Sequence, residues 1–212
     1  MTRTALLAAF AALAAGTAAA QPTAPENSTN GLAFDGPYVG ISIGLHNVIG
    51  GSLVGGVDYL AQDTRPAIMF FGGWRKEFDN GFVLGLEGGF GFEDGDLHLD
   101  DPSGLAIDYS NNFQFRYGGQ IGWRLNDDSL VFAYLSETKR DFDVTGTGPG
   151  GAFTQTDKQG LLRYGLGVDV DLGGPFLLRG TVGSSRADFG DRPLNRKPDN
   201  PIDVELSALS QF

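Results

Sequence analysis

The chain of 212 residues has no cysteine, only two histidines and two tryptophans, and 15 basic residues against 26 acidic ones. Each shortage excludes something. Without cysteine there is no disulfide framework, no thiol nucleophile and no thiolate metal site, so an exported protein of this size needs another means of closure. With a formal net charge of −11 nucleic acid is excluded as an expected partner, because binding it needs a basic face. Long apolar runs are missing too. The one at residues 5–15 is shorter than the ~20 residues of a spanning helix, so any membrane residence must come from strands.

That short run belongs to a recognisable start. Residues 1–20 carry Arg3 as their only charge, then the apolar run, then Ala18, Ala19 and Ala20 ahead of Gln21 and Pro22. This predicts a secretory signal peptide over 1–20. Its removal takes one basic residue and no acidic one, moving the net charge from −11 to −12. Residues 21–35 hold Pro22, Pro25, Asn27, Ser28, Thr29 and Asn30 without periodicity and are expected to form a flexible periplasmic lead-in.

What the chain has in excess is glycine, 33 residues, where an average protein would have about 7%. Glycine weakens helices, but a narrow barrel needs very small residues at its crowded inward positions. From 36 to 212 the sequence alternates with period two in eight segments. In the first, Val39, Ile41, Ile43 and Leu45 alternate with Gly40, Ser42, Gly44 and His46. In the third, Phe82, Leu84, Leu86, Phe90 and Phe92 oppose Val83, Gly85, Glu87, Gly89 and Gly91. The fourth sets Phe113, Phe115, Tyr117, Ile121 and Trp123 against Gln114, Arg116, Gln120 and Arg124. In the sixth, Leu162, Tyr164, Leu166, Val168 and Val170 oppose Arg163, Gly165, Gly167 and Asp169. The fifth is apolar in both phases, and Glu137 is assigned inward.

Tight turns are expected at Asp79-Asn80-Gly81, Asn126-Asp127-Asp128 and Gly173-Gly174-Pro175, and long polar connections at 47–64, 94–111, 138–158 and 187–201. One greasy face on every segment, long loops at one rim and short turns at the other predict an all-β fold. It is an eight-stranded antiparallel transmembrane up-and-down β-barrel over 36–212, in the cell outer membrane with both ends periplasmic. Phe34, Tyr38, Trp74, Phe78, Phe82, Trp123, Phe176 and Phe212 are expected to form the interfacial girdle at the turn rim.

Gly36-Pro37-Tyr38-Val39-Gly40, Asp79-Asn80-Gly81-Phe82 followed by Gly85-Leu86-Glu87, and the terminal Phe212 together resemble the OmpA-type and opacity-type family of outer-membrane barrels. The resemblance implies outer-membrane lipid and lipopolysaccharide as surroundings, the barrel assembly machinery as a partner, and Phe212 as its assembly signal. Two departures stand out. Ser210 occupies a place where the family often has an aromatic residue, and no peptidoglycan-binding domain is expected after the barrel.

The chemically informative set is the inward charges Glu87, Arg116, Arg124, Arg163, Asp169, Arg179 and Glu205, joined by Glu137 if its phase is inward. Charges in a narrow interior are costly unless paired. They are expected to fill and lock the lumen, with a gated narrow conductance as the alternative. No catalytic, cofactor or metal site is assigned. Gly40-Ile41-Ser42-Ile43-Gly44 matches the nucleophile-elbow pattern but continues as strand, without the required turn. His46 reads as a loop-end histidine with no serine companion on the lipid face, and the acidic run 93–101 lacks the spacing of a calcium loop. The expected function is a structural or surface-interaction role carried by four extracellular loops on a rigid barrel, toward an unidentified ligand. A gated channel and an outer-leaflet lipid-modifying enzyme are the alternatives.

Overall fold

Four of the eight alternating segments become strands far longer than a bilayer requires. In the computed structural model, which describes residues 34–54, 57–93, 96–101, 105–110, 113–148, 151–188 and 202–212, ten strands appear. They are β1 (Gly36–Val54), β2 (Val57–Glu77), β3 (Phe82–Glu93), β4 (Asp96–Asp101), β5 (Leu105–Ser110), β6 (Gln114–Asn126), β7 (Ser129–Gly148), β8 (Gly151–Asp171), β9 (Phe176–Asp188) and β10 (Ile202–Gln211). The expected signal peptide, residues 21–33 of the lead-in, and 189–201 of the fourth connection lie outside the described residues.

Eight of the ten form the ring, in the order β1-β2-β3-β6-β7-β8-β9-β10. Every pairing is antiparallel, and β10 returns to β1 from Tyr38↔Gln211 to Leu45↔Val204. This closure leaves the ring without an edge, the condition under which a sheet survives in hydrocarbon. Short turns join β2 to β3, β6 to β7 and β8 to β9. In the first, Gly81 donates to the Phe78 carbonyl at 2.8 Å and takes φ of +81°, a conformation that costs glycine little.

Period two decides which side chain meets lipid. Leu84, Leu86, Phe90, Phe115, Ile121, Leu166 and Val204 all stand exposed on the outer face. Trp74, Phe78, Phe82, Trp123 and Phe176 lie toward the turn rim, with Phe82 packed on Phe78 at 5.8 Å and on Trp123 at 6.3 Å. Phe34 and Tyr38 do not belong to this girdle. They are 0% and 1% exposed, inside the barrel. The fifth segment, β7, also corrects the expected phase. Leu130, Phe132, Ser136, Thr138 and Arg140 are buried, so Glu137 faces outward, where it accepts a hydrogen bond from the Tyr117 hydroxyl and lies 3.9 Å from Lys139 Nζ. Bulky apolar inward residues on β7 fill space opposite inward glycines such as Gly167 and Gly122, whose absent Cβ atoms make room for the Phe132 ring and its Cβ.

The polar connections are a second correction. A membrane-crossing strand needs roughly 9–11 residues, whereas β1, β2, β7 and β8 have 19 to 21. The surplus prolongs the β1–β2 and β7–β8 hairpins beyond the belt, so most of 47–64 and 138–158 is ladder and not loop. The second long connection, 94–111, folds into the β4–β5 hairpin, which extends the sheet by pairing Ala106–Ser110 with β7. Its apolar side chains Leu97, Ile107 and Tyr109 bury against Val48, Phe142 and Val144. Burying such a side chain is worth about 1.5–3 kcal/mol, enough to hold a hairpin that would be marginal alone.

On the other face of this hairpin His98 bridges both of its strands, with Nδ1 2.5 Å from Asp108 Oδ1 and Nε2 3.1 Å from Asp100 Oδ2. The hydrogen bond to Asp108, then that to Asp100, raises its pKa above the ordinary 6.5. A raised folded value means that the stabilisation is complete below 6.5 and is lost as pH climbs through the raised value. Amide hydrogen exchange of β4 and β5 is expected to accelerate as pH rises past 6.5 and through the raised value, beyond the intrinsic base-catalysed rise. His98→Gln should remove that excess. An identical pH response in both proteins would contradict the bridge.

Candidate functional site

Inward positions of the ring meet in a lumen that divides into three layers. At the turn rim Phe34, Tyr38, Phe71, Val83, Leu130, Phe132, Leu177 and Leu209 form an apolar floor. At the hairpin rim the Val48, Leu97, Ile107 and Phe142 cluster forms a roof. Charged side chains lie between these layers. The apolar layers were not foreseen, because apolar residues were assigned to lipid wherever alternation allowed.

The charged layer is a continuous ladder. Arg179 is held by Asp169 at 2.8 and 3.1 Å and donates to Glu87 at 2.6 Å. Arg75 reaches Asp169 at 2.7 Å. Glu87 also accepts from the Tyr38 hydroxyl at 2.9 Å and lies 3.6 Å from Arg116. Arg116 continues to Glu205 at 2.6 Å, and Arg163 binds both Glu205 at 3.1 Å and Asp203 at 3.2 Å. Above them His46 sets Nε2 2.5 Å from Glu205 and Nδ1 3.3 Å from Glu93, and Glu93 is in turn bound by Arg140. The guanidinium of Arg179 also covers the Phe132 ring at 4.9 Å, and that of Arg75 covers Tyr38 at 4.3 Å. The lower end of the ladder therefore stacks on the aromatic floor.

Six of the seven expected lumenal residues, Glu87, Arg116, Arg163, Asp169, Arg179 and Glu205, meet in this one ladder. Arg124 stands apart at the turn rim, 2.9 Å from Glu77 and 3.8 Å from Asp127. Phe212, the expected assembly signal, is 72% exposed and its amide donates to the Pro37 carbonyl at 3.0 Å. His46 is not a loop-end residue. It is 1% exposed in the lumen. Arg75, Glu77, Glu93, Arg140 and Asp203 were missing from the expected set. Parity on their own strands places Arg75, Glu77, Glu93 and Asp203 inward, since each shares the phase of an inward neighbour, whereas Arg140 lies on β7, whose phase its own sequence leaves open.

A cavity of about 30 Å³, bounded by Glu87, Arg116, Gln120, Tyr134, Arg179 and Glu205, has room for about two waters. An eight-stranded interior is just wide enough for side chains to fill, and here they fill it. Among the described residues no three His, Asp or Glu side chains are placed to hold a metal ion.

Breaking such a ladder by removing one partner leaves a buried charge and costs about 3–5 kcal/mol, whereas removing both partners costs much less. Arg179→Ala is expected to lower the temperature at which the compact, fast-migrating electrophoretic form converts to the unfolded one. Adding Glu87→Gln to it should restore part of the loss, because Arg116 keeps Glu205 and Asp169 keeps Arg75. Additive losses would show that Arg179 and Glu87 do not act as a unit.

The lumen and its ring then invite comparison with known proteins. A family model described as the outer membrane protein beta-barrel domain matches residues 5–203. No curated protein matches the sequence. Among solved structures, Ail, the attachment invasion locus protein of Yersinia pestis, is similar at 12% identity and a TM-score of 0.45, with 84% of this chain and 98% of that one covered. Neisserial surface protein A gives 13% and 0.41, covering 83% and 97%. The N-terminal beta-barrel domain of Pseudomonas aeruginosa OprF gives 11% and 0.34, covering 84% and 98%. Because the family match spans most of the sequence and the sheet closes as such a domain must, the chain belongs to the outer membrane protein beta-barrel domain family, and its place is the cell outer membrane.

Proposed function

We propose that this barrel is a sealed, non-enzymatic anchor whose work is done by the hairpins it raises above the outer leaflet, through contact with an extracellular surface or ligand. Outer-membrane lipid and lipopolysaccharide surround its apolar belt, and the barrel assembly machinery inserts it after a signal peptide has directed export. The observation that carries the reading is the occupied lumen, with an apolar floor, a paired charge ladder around a cavity of about 30 Å³, and an apolar roof. An interior spent on locking the wall offers no route for solute. The length invested in β1, β2, β7 and β8 beyond the bilayer points to the hairpins as the selected feature.

The test has two arms. In planar bilayers the purified barrel is expected to give no discrete conductance steps, and none after Arg116→Ala. Steps in the unmutated protein would instead favour a gated channel through the ladder. On whole cells, replacing residues 96–110 by a short Gly-Ser turn should abolish or sharply reduce attachment to a host-cell or matrix surface while the compact electrophoretic form persists. Lipid A mass spectra should be unchanged by overexpression. Altered lipid A would favour an enzyme.

A further inference from the structure

The ring is closed in the sheet by β1 and β10, and the turn-rim end of that seam is held by contacts that no strand pairing requires. Gln211 donates from its amide side chain to the Asp35 carbonyl at 2.8 Å, and its own N–H reaches the Pro175 carbonyl at 2.9 Å. Phe212 N–H reaches Pro37 at 3.0 Å. Gly36 sits between these two ends with φ of +113°, and a Cβ there would stand 2.6 Å from the Phe212 carbonyl oxygen. Only glycine fits both the conformation and the gap.

One step further along the chain the contacts turn inward. The Phe34 ring is 0% exposed among Val83, Leu130, Leu177 and Leu209. Its N–H donates to Glu77 Oε2 at 3.0 Å, while the other oxygen of Glu77 lies 2.9 Å from Arg124. Asp35 completes the arrangement by accepting from the Glu77 N–H at 3.1 Å and pairing with Lys76 at 2.9 Å. A carboxylate buried at 1% exposure is expensive unless each oxygen is used, and Glu77 uses one on the arriving backbone of Phe34.

We infer that Phe34 and Asp35 form a stopper and clip: the Phe34 ring plugs the periplasmic mouth of the lumen, and Asp35 ties that plug to Gln211 so that closing the β1–β10 seam also seals the barrel. The clip is complete only when β10 has met β1, which makes sealing the last consequence of closure. This inference goes beyond the anchor function and is independent of what the hairpins contact.

The absence of native cysteine allows a direct test on the full chain. Val83→Cys places a thiol in the floor beneath the Phe34 ring, and a small membrane-impermeant maleimide reports its exposure while the compact electrophoretic form reports folding. With Phe34 intact the thiol is expected to stay unlabelled. Phe34→Ala in the same background should raise the labelling rate about tenfold or more, because a vacated aromatic site is only partly refilled by its neighbours. Should Phe34→Ala fail to give the compact form, Glu77→Gln, which weakens the hold on the Phe34 amide, is expected to raise labelling in a folded barrel. Gln211→Ala should speed conversion to the unfolded form, whereas Val144→Ala in the distant roof should leave labelling unchanged. A reactive thiol with Phe34 in place would overturn the inference. So would an unreactive thiol after Phe34→Ala in a compact barrel, or after Glu77→Gln where that variant is needed. Attachment that survives replacement of residues 96–110 while the thiol stays unreactive would sink the surface-contact function but leave the stopper standing, whereas a reactive thiol with attachment still dependent on that hairpin would do the reverse, so the two failures are distinguishable.

Discussion

Backbone amides in hydrocarbon have no water to bond, and everything else in this molecule follows from the way they are satisfied. A strand edge left open in lipid would cost several kcal/mol for each unpaired group. The ring answers with eight antiparallel pairings, the β1–β10 seam among them. Closure then dictates the distribution of side chains. Outward positions meet lipid and are Leu, Ile, Val and Phe, while inward positions are forced into a space so narrow that glycine and a limited number of large residues must share it.

Closing the ring creates a second problem, an interior too small for bulk water. Charges placed there have to solvate one another. The ladder from Arg75 through Asp169, Arg179, Glu87, Arg116 and Glu205 to His46, Glu93 and Arg140 does so by giving most members two partners from different strands. Such pairing contributes less to net stability than to specificity, because a slip of one residue would turn every charge into the lipid. The apolar floor and roof lie on either side of the ladder and keep it in a medium where its geometry matters.

Much of this was legible from the residues. Alternation gave the eight ring strands, the three tight turns and the outward face of seven of the strands. Glu87, Arg116, Arg163, Asp169, Arg179 and Glu205 could be placed inward by parity alone. What failed did so for identifiable reasons. On β7 both phases are apolar, and the choice was set by Phe132 fitting over Gly167 and Gly122 on neighbouring strands, a tertiary fact that no single strand records. The hairpin at 47–64 reads as a loop because of its paired glycines, and that at 138–158 because glycine, threonine and aspartate dominate it. They remain strands because each continues a register already fixed in the membrane. His46 was misplaced because its strand runs on past the point where the greasy alternation fades, and Phe34 because the partners it has among the described residues, Glu77 and the floor, are distant in sequence.

The central claim is that β1 and β10 are hydrogen-bonded neighbours closing the ring, with Ser42 opposite Ser207 inside it. It is tested most directly by Ser42→Cys combined with Ser207→Cys in the otherwise cysteine-free chain, oxidised mildly in native outer membranes. The account predicts an intramolecular disulfide that forms in the compact electrophoretic form and keeps the two ends of the barrel joined on heating until it is reduced. A compact, membrane-inserted protein whose two thiols stay free, or link only between molecules, would contradict it.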